Sequence, residues 1–92
     1  MIVAIARDVR ITGRVQGVFF RAWARGQAER LGVAGWVRNC ADGSVEAHVE
    51  GEDGAVGKMI EMLRQGPSGA RVEDLKIEAA EPEDLGRFEV RH

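Results

Sequence analysis

With 92 residues, one cysteine and a net charge of -2 at pH 7, the chain is the size of one domain with a modest core and with no disulfide or Cys-x-x-Cys pair to support it. The 13 basic side chains are scattered and tyrosine is absent, which argues against a nucleic-acid backbone or stacked single strands as the ligand. The lone Cys40 fits a reducing compartment, so a cytoplasmic location is expected; the apolar run Met1 to Ala6 is too short for a targeting segment or a membrane span before Arg7-Asp8 ends it.

Between Arg7 and Val15 the odd positions Val9, Ile11, Gly13 and Val15 oppose Asp8, Arg10, Thr12 and Arg14, the period of a strand with one wet face. Gln16-Gly17 breaks that pattern, and a glycine there lets a ligand come close to the main chain. Phe20, Trp23, Ala24, Ala28 and Leu31 recur at helical spacing and predict a helix over Phe20 to Leu31, closed by Gly32. On that face Phe20 and Trp23 read as core packing.

Ala34 to Asn39 reads as a short strand, and Asp42-Gly43 is a hairpin signal leading into a third strand over Ser44 to Glu50. Val45, Ala47 and Val49 face one side there, which leaves His48 with Glu46 and Glu50 on the other, as a surface or interlayer residue. After a polar turn from Gly51 to Gly54, Val56, Met59, Ile60 and Leu63 give a second amphipathic helix that stops at Gln65-Gly66-Pro67. A fourth strand is expected around Val72 to Ala79, then a solvated acidic loop at Glu81-Pro82-Glu83-Asp84, then a short last strand carrying Phe88 and Val90.

This order matches an α+β, ferredoxin-like βαββαβ sandwich: an antiparallel sheet with two helices on one face and a short extra C-terminal strand. A right-handed crossover makes strands one and two parallel, with strand three inserted between them. Two strand spacings then put the loop after Val15 and Asn39 roughly 10 Å apart at the same edge of the sheet.

That juxtaposition is where function is expected. A helix N-terminus offers unpaired N–H groups and a positive dipole end, and Arg21 adds a full charge in a geometry that suits phosphate oxygens. Each residue also has a plain structural reading: Arg21 as a surface arginine paired with a carboxylate, Asn39 as a turn former ahead of Asp42-Gly43. The loop carries no Cys, Ser, Thr or Asp nucleophile, and no His and carboxylate cluster has metal-ligand spacing. What remains is positioning and charge stabilisation, with the amides and Arg21 holding a phosphoryl group and Asn39 placing a water for in-line attack. A carboxyl phosphate suits such a site, because its leaving group needs no strong general acid.

The block from Ile11 to Arg21, with Gly13, Val15, Gln16, Gly17, Val18, Phe20 and Arg21, resembles the first acylphosphatase signature. Gly35-Trp36-Val37-Arg38-Asn39, followed by Gly43, Val45 and Gly51, resembles the second at its usual spacing. The resemblance covers nearly the whole chain and implies a single-domain, monomeric hydrolase of acyl phosphates that needs no metal and no cofactor. It implies that Arg21 binds the phosphate, that Asn39 orients the water, and that backbone amides from about Gln16 through Gly17, Val18 and Phe19 to Phe20 complete the cradle. It also implies that the bound phosphate takes the water's proton. Expected partners are thus a small-molecule substrate and inorganic phosphate, with no nucleic acid and no membrane. The rivals are a non-catalytic ferredoxin-like module that binds an anion or RNA, and the front end of a larger hydrogenase-maturation enzyme; the first is opposed by a third strand without stacking aromatics, the second by a chain that stops near residue 92.

Overall fold

The computed structural model describes residues 4–92, so residues 1–3 of the apolar start fall outside the description. The elements run β1 (Ile5–Arg14), α1 (Phe20–Leu31), β2 (Ala34–Asn39), β3 (Val45–Gly51), α2 (Asp53–Gln65), β4 (Arg71–Ala80) and β5 (Phe88–Arg91). They build one five-stranded sheet in the order β4-β1-β3-β2-β5. β1 pairs antiparallel with β3 and β4, and β2 antiparallel with β3, so β1 and β2 run parallel with β3 between them, as the crossover rule requires. The appended β5 lies parallel to β2, which makes the sheet mixed at that edge.

The sheet buries the face the alternation predicted. Val9, Ile11 and Val15 from the first strand and its end, Val37 from β2, and Val45, Ala47 and Val49 from β3 meet Phe20, Ala24 and Ala28 of α1 and Val56, Met59 and Leu63 of α2 in one core. β1 begins at Ile5, two residues before the expected start, because Ala6 and Arg7 still find partners in Glu50 and Val49. Beyond Thr12 the β1–β4 register shifts by one residue at Gly13. A Cβ on Gly13 would sit 2.2 Å from the Arg71 carbonyl oxygen, so only glycine lets β4 approach this closely.

The other face of the sheet is not wholly wet. Because β4 and β5 occupy opposite edges, the connection 81–87 has to cross the sheet, and it is clasped there. The Glu50 carboxylate accepts the backbone N–H of Glu83 at 2.8 Å and of Leu85 at 3.1 Å. His48 bridges Glu50 (2.7 Å, Nε2) and Asp8 (2.8 Å, Nδ1), and its ring stacks on Trp36 at 6.0 Å. His48 is 1 % exposed and Glu50 5 %, so alternation placed them on the correct face, and the crossing segment, rather than solvent, covers them. The acidic run keeps its side chains exposed at Glu81, Glu83 and Asp84 while its main chain is pinned.

Burial opposes charge on both groups of this clasp, yet the hydrogen bonds prevail. The His48 pKa is raised by its bonds with Asp8 and Glu50 and by the charges of Glu83 and Asp8, against the effect of burial. The Glu50 pKa is lowered, again against burial, by the Glu83 amide, His48 and the Leu85 amide.

Candidate active site

At the end of β1 the chain enters the loop through Val15, which is buried at 1 % exposure and fixes the loop's base. Gln16 follows, and its side-chain amide donates to the carbonyls of Cys40 and Ser44, both at 2.8 Å. The side chain of Gln16 is therefore a strut to the β2–β3 hairpin rather than a free donor. The hairpin is itself closed by Cys40 N–H to Ser44 O at 2.8 Å and by the Asp42 carboxylate, which accepts the Ser44 amide and hydroxyl at 2.9 and 2.6 Å. Those bonds hold the Asp42 carboxyl below the usual carboxylate range.

Gly17 then takes φ +74 with nothing near its would-be Cβ, so glycine is needed there for conformation and not for space. Phe19 is also left-handed, at φ 60 and ψ 27, a strain of about 1–2 kcal/mol for a residue with a Cβ. It occupies the N-cap of α1, where a side-chain oxygen would normally satisfy an orphan amide, and it supplies none. The first helical hydrogen bond runs from Trp23 N–H to Phe19 O at 3.0 Å; among the described residues the amides from Gly17 to Ala22 have no acceptor. No acidic residue lies in the first turn, whereas Arg21 does. A cation beside the positive end of a helix dipole is unfavourable until an anion joins it.

Arg21 makes no ion pair with a carboxylate among the described residues, contrary to its plain structural reading. Instead Nη1 donates to the Arg91 carbonyl at 2.9 Å and lies 3.1 Å from His92 Nδ1. Asn39 ends β2 on the helix side of the sheet; its side chain makes no hydrogen bond among the described residues, and Asp42 and Ser44 do the turn-forming instead. Both residues open onto one cavity of about 400 Å³, which Val15, Gln16, Gly17, Phe19, Phe20, Ala22 and Val90 also line.

Of the residues singled out in the loop, Val18 alone does not border this cavity: its side chain packs on the core margin near Gly69, leaving only its amide to offer. Phe20 is 2 % exposed and sets its ring edge against Trp23 at 5.4 Å, so it is core first and cavity floor second. Sequence reasoning missed Val90, the Arg91 carbonyl and the strut role of Gln16. The parallel β2–β5 pairing, which sets Val90 beside Val37, is what brings the last strand to the site. Among the described residues no group of three or more His, Cys, Asp or Glu is gathered to hold a metal ion, and no helix is long and apolar enough to cross a membrane. A second groove, of about 200 Å³ on the opposite sheet face, is lined by mixed charges including Asp8, Arg10, Glu46 and Lys76.

The chain is thus a small α+β protein of the βαββαβ class that gathers an uncapped helix start, an arginine and an amide side chain around one cavity. The chain belongs to the acylphosphatase family, whose profile matches residues 7–90. It is 58 % identical over 79 residues to an acylphosphatase from Rhizobium etli, which covers 86 % of this chain and 84 % of that one. To an acylphosphatase from Gloeobacter violaceus it is 51 % identical over 90 residues, 98 % of this chain and 97 % of the other. The solved structure of an acylphosphatase from Coxiella burnetii is similar with a TM-score of 0.91 and 39 % identity, over 96 % of this chain and 93 % of that chain.

Proposed function

We propose that this protein is an acylphosphatase, hydrolysing the carboxyl–phosphate bond of acyl phosphates to a carboxylate and inorganic phosphate. What carries this reading is that, among the described residues, the amides from Gly17 to Ala22 have no acceptor and that all the residues bearing them except Val18 line one cavity with Asn39. In this reading the amides and the Arg21 guanidinium hold the phosphoryl oxygens and stabilise the charge that builds on them. The carboxamide of Asn39 orients a water opposite the leaving group. The water oxygen bonds to phosphorus, the P–O bond to the acyl group breaks with its electron pair leaving on the carboxylate, and the water's proton passes to a phosphate oxygen. That route needs no protein base. We read the 92 residues as one domain that acts as a monomer in the cytoplasm on a small molecule, without metal or cofactor and without nucleic acid.

The test is phosphate release from benzoyl phosphate in the presence of a chelator, with an aryl phosphate ester for comparison and Arg21→Ala as control. Rapid cleavage of the acyl phosphate alone, lost in the variant, is the expected result. Absence of cleavage by the intact protein would overturn the assignment.

A further inference from the structure

The exposure of Phe19 is explained neither by the cradle nor by the core. Its ring is 86 % exposed, although Phe20 beside it is 2 % exposed. Among the described residues it pairs with no other aromatic ring. Its backbone is left-handed, a conformation that glycine or asparagine adopts at lower cost. A cradle that needed only this backbone would therefore be served better by a small or polar side chain, which would also spare the apolar surface left in water. What the phenyl ring adds is a wall: Phe19 borders the cavity that contains Arg21, together with Ala22 and Val90.

In an acyl phosphate the carbonyl carbon is two bonds from phosphorus, so with the phosphoryl group held in the cradle the acyl substituent leaves alongside the residues that border it. We propose that the Phe19 ring, flanked by Ala22 and Val90, is the platform on which the acyl group of the substrate packs, and that the enzyme favours acyl phosphates with an aromatic or extended apolar acyl group over small ones. This inference rests on the acylphosphatase reading of the same site. Covering one ring face with another group of similar size favours the larger substrate by about tenfold.

The experiment compares kcat/KM for benzoyl phosphate and acetyl phosphate in the intact protein, Phe19→Asn and Phe19→Ala, with inhibition by inorganic phosphate measured in each. Phe19→Asn is chosen because asparagine keeps the left-handed backbone. The benzoyl-to-acetyl ratio is expected to fall about tenfold in both variants, through a higher KM for benzoyl phosphate, while phosphate inhibition persists. A ratio unchanged within about twofold overturns the platform and leaves the acylphosphatase reading standing. Equal losses on both substrates together with loss of phosphate inhibition also overturn it, assigning Phe19 to the cradle's backbone. If the intact protein cleaves neither substrate, the acylphosphatase reading itself falls and takes the platform with it.

Discussion

The guanidinium of Arg21 is held by the main chain of Arg91: Nη1 donates to that carbonyl at 2.9 Å, across the gap between α1 and the edge strand β5. A guanidinium has five N–H donors in a fixed fork; Nη1 faces the Arg91 carbonyl and His92 Nδ1, which leaves Nε and Nη2 without a partner among the described residues. A lysine ammonium on a flexible stem cannot hold the carbonyl and present a planar fork together. Arg21→Lys is accordingly expected to lower kcat/KM for benzoyl phosphate by about 100- to 1000-fold and to weaken inhibition by inorganic phosphate. Steady-state kinetics with phosphate titration checks this, and a variant retaining both properties would remove Arg21 from its assigned role.

Asn39 should show a different kinetic pattern. Among the described residues its side chain has no hydrogen bond to lose, so Asn39→Ala is expected to leave the unfolding midpoint close to that of the intact protein. If it orients the water, kcat falls by about 100-fold or more while phosphate still inhibits, because product binding does not depend on the attacking water. Near-normal kcat would mean that another group places the water.

Gln16 is expected to act on stability and activity together. Gln16→Ala removes two 2.8 Å hydrogen bonds that tie the loop to the hairpin bearing Asn39. The Cys40 and Ser44 carbonyls keep their bonds from Gly43 and Cys40, so the cost is about 1–2 kcal/mol, a fall of roughly 4–8 °C in Tm for each kcal/mol. Calorimetry beside kinetics should show both losses. A variant that kept its Tm but lost phosphate inhibition would make the Gln16 side chain a ligand instead of a strut.

These residues also show what could be read in the sequence. Helix α1 was legible from Phe20 to Leu31 because its apolar spacing is local, and Phe19, one position off that face, is the ring that ends up exposed. The loop from Gln16 to Arg21 and the amide at Asn39 were legible because topology places the ends of β1 and β2 at one sheet edge. The Arg91 anchor was not, since every residue has a carbonyl and only the parallel β2–β5 pairing selects this one. Nor was the burial of His48 and Glu50, because alternation assigns a face but does not say that a segment more than 30 residues downstream will cross it.

That crossing segment gives the fold a pH-dependent component. With His48 hydrogen-bonded to Asp8 and Glu50 and 3.6 Å from Glu83, its raised pKa means that the folded state holds the proton more tightly than the unfolded chain. The resulting stability is fully present below about pH 6.5, the ordinary histidine value, and is lost as pH rises through the folded pKa. Glu50 is lowered, so its contribution is present above about pH 4.3 and is lost as pH falls through its folded pKa. The clasp is therefore strongest between these limits. In urea unfolding the midpoint of the intact protein should drop between about pH 5.5 and pH 8.5. His48→Gln, which can hydrogen-bond but carries no charge, should show a smaller drop over the same interval. Glu50→Gln should cost about 1–3 kcal/mol near neutral pH, because the Glu83 and Leu85 amides lose a charged acceptor. Identical pH profiles for His48→Gln and the intact protein would show that His48 binds no extra proton on folding, and the neutral clasp would then rest on the Glu50 hydrogen bonds alone.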